Sequence, residues 1–180
     1  NVIFQNLCAN ISINSITNCV CFQNSLSDKI NEKLYFPSYD FNEENNFAAM
    51  TLSHEKSQGY LPTKVDTLDN KFKSLNKLKL LKIDAQGMEI NIIKGGYDLI
   101  KRTNPFIYFE NDVIDKSQEL IELVWSLDYS IFWHIVPMYN KNNFFKNTNN
   151  IFNQKYSFNM IAINKDKEII INLPEVKDSS

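Results

Sequence analysis

The stretch Leu80–Gly96, reading LLKIDAQGMEINIIKGG, constrains the fold more than any other part of the chain. It opens with a short apolar run, turns over Asp84–Gly87 and continues with helical periodicity. Ile92, Ile93, Gly96, Tyr97 and Ile100 fall at spacings of one, three and four, which predicts a single helical face, with Lys94, Lys101 and Arg102 on the other side. Pro105 ends that helix. Strand, tight turn, helix is the unit of an open α/β sheet, in which ligands bind beyond the carboxyl ends of the strands. Residues 84–87 would sit there. The chain carries four glycines, and Gly87, Gly95 and Gly96 all lie in this stretch. A glycine within a helix costs about 1 kcal/mol relative to alanine. The pair Gly95-Gly96 therefore predicts either a very close helix–sheet approach or a local irregularity.

The flanks extend the pattern. Phe4, Leu7, Cys8 and Ile11 have helical spacing that closes at Asn14-Ser15, and Cys19–Phe22 reads as a short strand ending at Asn24–Asp28. Between Lys29 and Thr63 the pattern weakens. Leu34–Phe36 predicts a short strand before Pro37, and 40–47 an exposed loop. Lys64-Val65 is a strand edge, followed by a helix to about Ser74 capped by Asp66 or Thr67, with Asp69 in its first turn. After the central unit, Pro105–Phe109 is a second apolar run that ends in Glu110-Asn111-Asp112. Leu120, Ile121, Val124 and Leu127 predict an amphipathic helix, 129–135 a strand, 137–155 an Asn-rich loop, and the alternation around Phe158, Met160 and Ala162 a last strand. The polar tail after Leu173 is expected to fray. Strands alternating with helices imply βαβ units and a mainly parallel sheet, with the last two strands as an antiparallel edge pair.

At 180 residues the chain suits one domain, with 43% hydrophobic and 22% charged residues. A net charge of −2 supplies no basic stripe for nucleic acid. No apolar run is long enough to span a bilayer and no signal peptide is visible, so the expected partners exclude nucleic acid and membrane. Cys8, Cys19 and Cys21 form no CxxC pair, which suits a reducing, cytoplasmic compartment with the thiols packed in the core.

The run Leu81–Glu89, followed by Lys94-Gly95, resembles the signature of FkbM-type S-adenosylmethionine-dependent methyltransferases, K-I-D-V-E-G-x-E with a K/E-G in the next helix. Ala85 stands for the usual Val and Gln86 for Glu. Val65–Asp69 is similar to the family's T-L-D segment, and Phe109–Asp112 to its acidic strand end. Trp133–Asn140, with Asn143–Phe145 and Asn150–Phe152, resembles a carboxy-terminal block of part of the family, and Asn45–Phe47 a segment of the same group. The resemblance covers roughly residues 1–165. It implies an α/β fold with a doubly wound, mostly parallel sheet of the class I methyltransferase (Rossmann-like) type. Residues 1–173 would form the carboxy-terminal part of that domain, starting at its second helix, with 174–180 a polar tail. The glycine-rich strand and the acidic ribose-binding strand would precede Asn1, so a second chain completing the sheet is a further expected partner.

The resemblance also implies methyl transfer from S-adenosylmethionine, often to a hydroxyl of a sugar, polyketide or related metabolite. Such transfer requires alignment of the reactants and removal of the hydroxyl proton. Asp84, Glu110, Asn111 and His134 are the candidate catalytic residues. Ser25, Leu26, Asp84, Ala85, Gly87 and Glu89 are the candidate cofactor contacts, Ser25 and Leu26 at the adenine edge. Tyr139 and Asn140, with Asn45 and Asn46, border a candidate acceptor cleft. Asp84, Glu110 and Asn111 offer hard oxygen ligands from which a divalent cation would polarise the acceptor. Against these stands a reading as a non-catalytic scaffold or partner subunit derived from a methyltransferase. A dinucleotide enzyme finds no support, because the chain holds no G-x-G-x-x-G.

Overall fold

A computed structural model describes residues 2–44, 46 and 50–179. Asn1, Asn45 and Phe47, on which part of the resemblance draws, lie outside them. The elements run α1 (Val2–Ile13), β1 (Ser25–Leu26), β2 (Leu34–Pro37), β3 (Tyr60–Thr63), β4 (Val65–Asp66), α2 (Leu68–Lys71), β5 (Leu80–Ile83), α3 (Glu89–Lys94), α4 (Tyr97–Thr103), β6 (Phe106–Glu110), α5 (Ile114–Trp125), β7 (Tyr129–Pro137) and β8 (Tyr156–Asn164).

The main sheet has the order β5-β6-β8-β7. β5 and β6 are parallel, and β8 runs antiparallel to both β6 and β7. Two smaller pairs complete the described strands: β1 with β4, parallel, and β2 with β3, antiparallel. The expected antiparallel pair at the carboxy-terminal edge is present. The sheet is nonetheless mixed, and parallel pairing is confined to β5–β6 and β1–β4 among the described residues. The alternation of strands and helices implies parallel neighbours, but β8 inserts antiparallel between β6 and β7, which strand order, not alternation, decides.

Alternation decides which side of the main sheet is covered. Ile83, Ile107, Phe109, Met160, Ala162 and Ile131 share one face, where they join a core with Ile90 and Ile93 of α3, Leu99 and Ile100 of α4, and Leu120, Ile121 and Val124 of α5. Burying each such side chain contributes roughly 1.5–3 kcal/mol. The other face carries Leu80 and Lys82, both exposed, then the half-buried Phe106, Tyr108, Ile161, Phe132 and His134. The helices α3, α4 and α5 thus serve one face, not the two of a doubly wound sheet.

Of the two outcomes expected of the glycine pair, the local irregularity is present, and the close approach is to the chain after β1 and to α2 rather than to the sheet. One helix was expected here, but it breaks into α3 and α4 at Gly95-Gly96. A Cβ at Gly95 would lie 2.1 Å from the Ser27 carbonyl oxygen, and one at Gly96 2.8 Å from Leu68 Cδ1. The chain after β1 therefore lies directly on the end of α3. Asn91 of α3 donates to Asp28 across the same contact, at 3.1 Å, and holds that carboxyl below its ordinary range. Because α4 starts afresh, Leu99 rather than Tyr97 is buried, and Tyr97 is 47% exposed. The Asp69 carboxylate accepts from the Asp98 and Leu99 amides, at 3.1 and 2.7 Å, and so caps α4 from outside it.

Other expectations are corrected. Residues 19–22 form no strand; Val20 is 74% and Phe22 50% exposed, and the pairing begins only at Ser25. Only Phe22 finds apolar packing there, edge-on against Phe72 and beneath Lys71, and no strand among the described residues pairs with the run, so hydrophobicity alone does not place the strand. The cysteines are not core residues: Cys19 is exposed, Cys8 and Cys21 half-buried, and all three are free. The helix after Thr67 stops at Lys71, with Thr67 as its cap accepting from Asn70 at 3.1 Å. The tail does not fray at once. Trp133 donates to Pro174 and Val176 to Ile131, laying 174–176 along the outer edge of β7 and burying Val176.

Candidate functional site

The site begins where β5 ends. Gln86 and Gly87 both adopt positive φ, 48° and 89°, so the chain reverses within two residues before α3. Glycine takes that conformation freely, whereas glutamine does so uncommonly. The turn is held from three sides. The buried Glu89 carboxylate accepts from the Ala85 amide at 2.9 Å, Lys116 of α5 donates to the Gly87 carbonyl at 2.8 Å, and the Gln86 amide donates to Glu110 at 3.1 Å. Glu89 and Gly87 therefore build the turn from behind.

In front of it a groove of about 390 Å³ separates β5 from β1. Asn24, Ser25 and Leu26 form one wall, and Leu81–Gln86 the other, with Leu52, Leu68, Met88 and Ile92 supplying apolar surface. The expected contacts Ser25, Leu26, Asp84 and Ala85 thus come together in one cavity although they are some sixty residues apart. The Ser25 hydroxyl shares a hydrogen bond with Thr63 at 2.9 Å, which fixes this wall to β3. Asn24 Nδ2 is buried and has no partner among the described residues. Buried amide donors are nearly always satisfied, which sets this one apart in the wall of the groove. Asp84 is half-exposed and pairs with Lys82 at 2.8 Å.

From the carboxyl end of β6 a polar row runs across the sheet on the uncovered face. Register places Glu110 opposite Asn159, and Asn159 opposite His134. Burial, reinforced by Asp112, Asp84 and Glu89, pushes the Glu110 carboxyl up to about 7, with Lys82 opposing. His134 Nδ1 and the Tyr108 hydroxyl are 3.0 Å apart. Asn111 does not join this row. It points to the opposite side, donating to Ser117 Oγ at 2.9 Å and lying 3.4 Å from Met160 Sδ. Asp84, Glu110 and Asn111 consequently do not converge as a cation site, and no metal-ligand cluster occurs among the described residues. Tyr139 and Asn140 lie on the loop between β7 and β8, where Tyr139 donates to the Asn147 carbonyl at 2.9 Å. Asn24, Gln86, Tyr108 and Asn159 are additions that sequence reasoning missed. Alternation along Phe106–Glu110 already pairs Tyr108 with Glu110, but the partners of Asn24 and Asn159 depend on register.

The Methyltransferase FkbM domain model matches residues 3–131. The chain belongs to this family. The FkbM match spans α1 to the start of β7 and so includes the groove, the turn and Glu110; the block from Trp133 lies beyond it. No curated protein and no solved structure matches the chain. Membership supports methyltransferase activity and fits S-adenosylmethionine as the methyl source. No helix among the described residues is long and apolar enough to cross a membrane.

Proposed function

We propose that the protein is an S-adenosylmethionine-dependent O-methyltransferase acting on a hydroxyl of a sugar, polyketide or related metabolite in the cytoplasm. The observation that carries this reading is the groove between β1 and β5 in an FkbM-family chain, with the unpartnered Asn24 amide in its wall. Its chemistry fits the cofactor: apolar side chains for a flat purine, an amide donor for a ring nitrogen or ribose oxygen, and the Asp84 carboxylate near the cationic end. When bound, S-adenosylmethionine supplies an electrophilic methyl group on a sulfonium sulfur.

The chain's own residues do the rest. Asn24, Ser25, Leu26 and Ala85 hold the cofactor, and the turn at Gly87, braced by Glu89 and Lys116, keeps Asp84 in place. Glu110 takes the acceptor's proton as the oxygen attacks. A carboxyl near 7 is well matched to that task at neutral pH, because it is partly ionised and still basic enough to draw the proton. The edge of β5, paired only on its β6 side among the described residues, is where a second chain completing the sheet would pair.

Titration calorimetry with S-adenosylmethionine tests the reading. The expected result is a saturable heat whose affinity weakens about fivefold in Asn24→Ala, one hydrogen bond to a polar ligand being worth about 1 kcal/mol. Absence of any heat with the native chain would favour the scaffold alternative.

A further inference from the structure

We infer that Tyr108 is a positioning residue that fixes His134 as its Nε2–H tautomer, so that His134 presents an N–H donor to an uncharged oxygen of the ligand. This assigns His134 to binding rather than to proton removal. It rests on the methyltransferase reading only for the identity of that ligand.

The geometry comes first. The two side chains are on the uncovered face, their rings 5.8 Å apart and edge-to-face, with Tyr108 Oη 3.0 Å from His134 Nδ1. One hydrogen atom lies between them, and it belongs to the better acid. A phenol is far more acidic than a neutral imidazole N–H, and an imidazole nitrogen is a stronger acceptor than a phenol oxygen. The bond therefore runs O–H to Nδ1. Desolvation acts in the same direction, raising the Tyr108 hydroxyl and keeping it protonated. With Nδ1 accepting, the ring proton sits on Nε2, the atom left without a lone pair to serve as a base. Nε2 makes no hydrogen bond among the described residues, and the ring is half-exposed.

Charge selects the ligand atom. Glu110 and Asp84 lie at the same end of the sheet, with Asp112 close enough to Glu110 to raise its carboxyl. Of the cations beside them, Lys82 is engaged by Asp84 and Lys116 by the Gly87 carbonyl. A carboxylate would be repelled there, whereas a hydroxyl or ether oxygen would not. Phe132 and Ile161, facing one another across β7 and β8 in the adjoining row, offer the apolar surface on which a sugar ring or similar body would rest.

The chain contains two histidines, which makes the test direct. A long-range proton–nitrogen correlation spectrum of the nitrogen-15-labelled chain is recorded at about pH 8.5, two units above the ordinary histidine value. His54→Gln assigns the signals. The expected result is His134 wholly in the Nε2–H form, with a detectable share of Nδ1–H in Tyr108→Phe. A predominantly Nδ1–H ring in the native protein would overturn the inference, as would identical tautomer mixtures in the two proteins. Methyl α-glucoside and acetate then serve as uncharged and charged oxygen probes. Saturable movement of the His134 Nε2 signal by the glucoside but not by acetate is expected, and the reverse order would overturn the ligand assignment. Neither readout requires methyl transfer, so a chain that showed no heat with S-adenosylmethionine would leave both outcomes decidable.

Discussion

At Glu110 the features on which the proposed proton transfer relies also act on folding. Its carboxyl titrates near 7 in the folded protein because burial and three neighbouring acids oppose its charge. In the unfolded chain it titrates near the ordinary value of about 4.3. Between these values the folded state holds the proton that the unfolded state has released, so stability falls as pH rises through that window and levels off above it. Replacing Glu110 by Gln removes this loss while keeping a polar partner for Gln86. Melting temperatures measured from pH 4 to pH 8 should show Glu110→Gln gaining on the native protein up to about pH 7, with no further gain beyond. A constant difference across the range would mean that the carboxyl is not raised.

Among the elements, the α3–α4 break carries the most specific packing. At Gly95 a methyl group would overlap the backbone of Ser27, where nothing can swing aside, whereas at Gly96 its nearest neighbour is the end of the Leu68 side chain, with Leu68 Cβ and the Ile92 carbonyl less crowded at 3.1 and 3.3 Å. Gly95→Ala should cost about 3 kcal/mol in urea unfolding and Gly96→Ala about 1 kcal/mol, because only the second neighbour can yield. Equal losses would contradict the close approach. The sequence made the existence of this feature legible, since paired glycines inside a helical pattern demand a reason. It could not say what they touch, because Ser27 lies nearly seventy residues away and only the tertiary fold brings it there. Glu110 and Asp84 were legible for the same kind of reason, as polar residues ending apolar runs. Asn111 was not separated from Glu110 because the last residue of a strand and the one after it differ only in which face they meet. The Asn-rich loop is the opposite case. Asn140, Asn143, Asn147 and Asn150 each accept from a backbone amide two or four residues on, so the composition that looked unspecific shapes the turns.

Across the whole molecule, the two edges of the main sheet are treated differently. The tail closes the β7 edge through Trp133, Val176 and the buried Val176 side chain, whereas β5 opens onto the groove, with Leu80 55% exposed. An edge left unpaired invites association. Truncation after Leu173 should therefore lower stability by roughly 2 kcal/mol, the value of burying a valine, and raise light scattering on heating. An unchanged melting curve would show that the tail adds nothing.

The order β5-β6-β8-β7 also sets the timing of assembly. The strand at the heart of the antiparallel half is the last of the described strands to be made, and β6 and β7 join only through it. During synthesis, β6 leaves the ribosome with an empty flank on the side of its future neighbour. α5 can form by itself, but the halves of the sheet cannot close until about residue 164 has emerged. Closure of such distant pairings is slow compared with helix formation. Between the emergence of β6 and that of β8 the nascent chain thus holds apolar strands awaiting their partner, an interval in which chaperone protection is favoured until β8 slides between them.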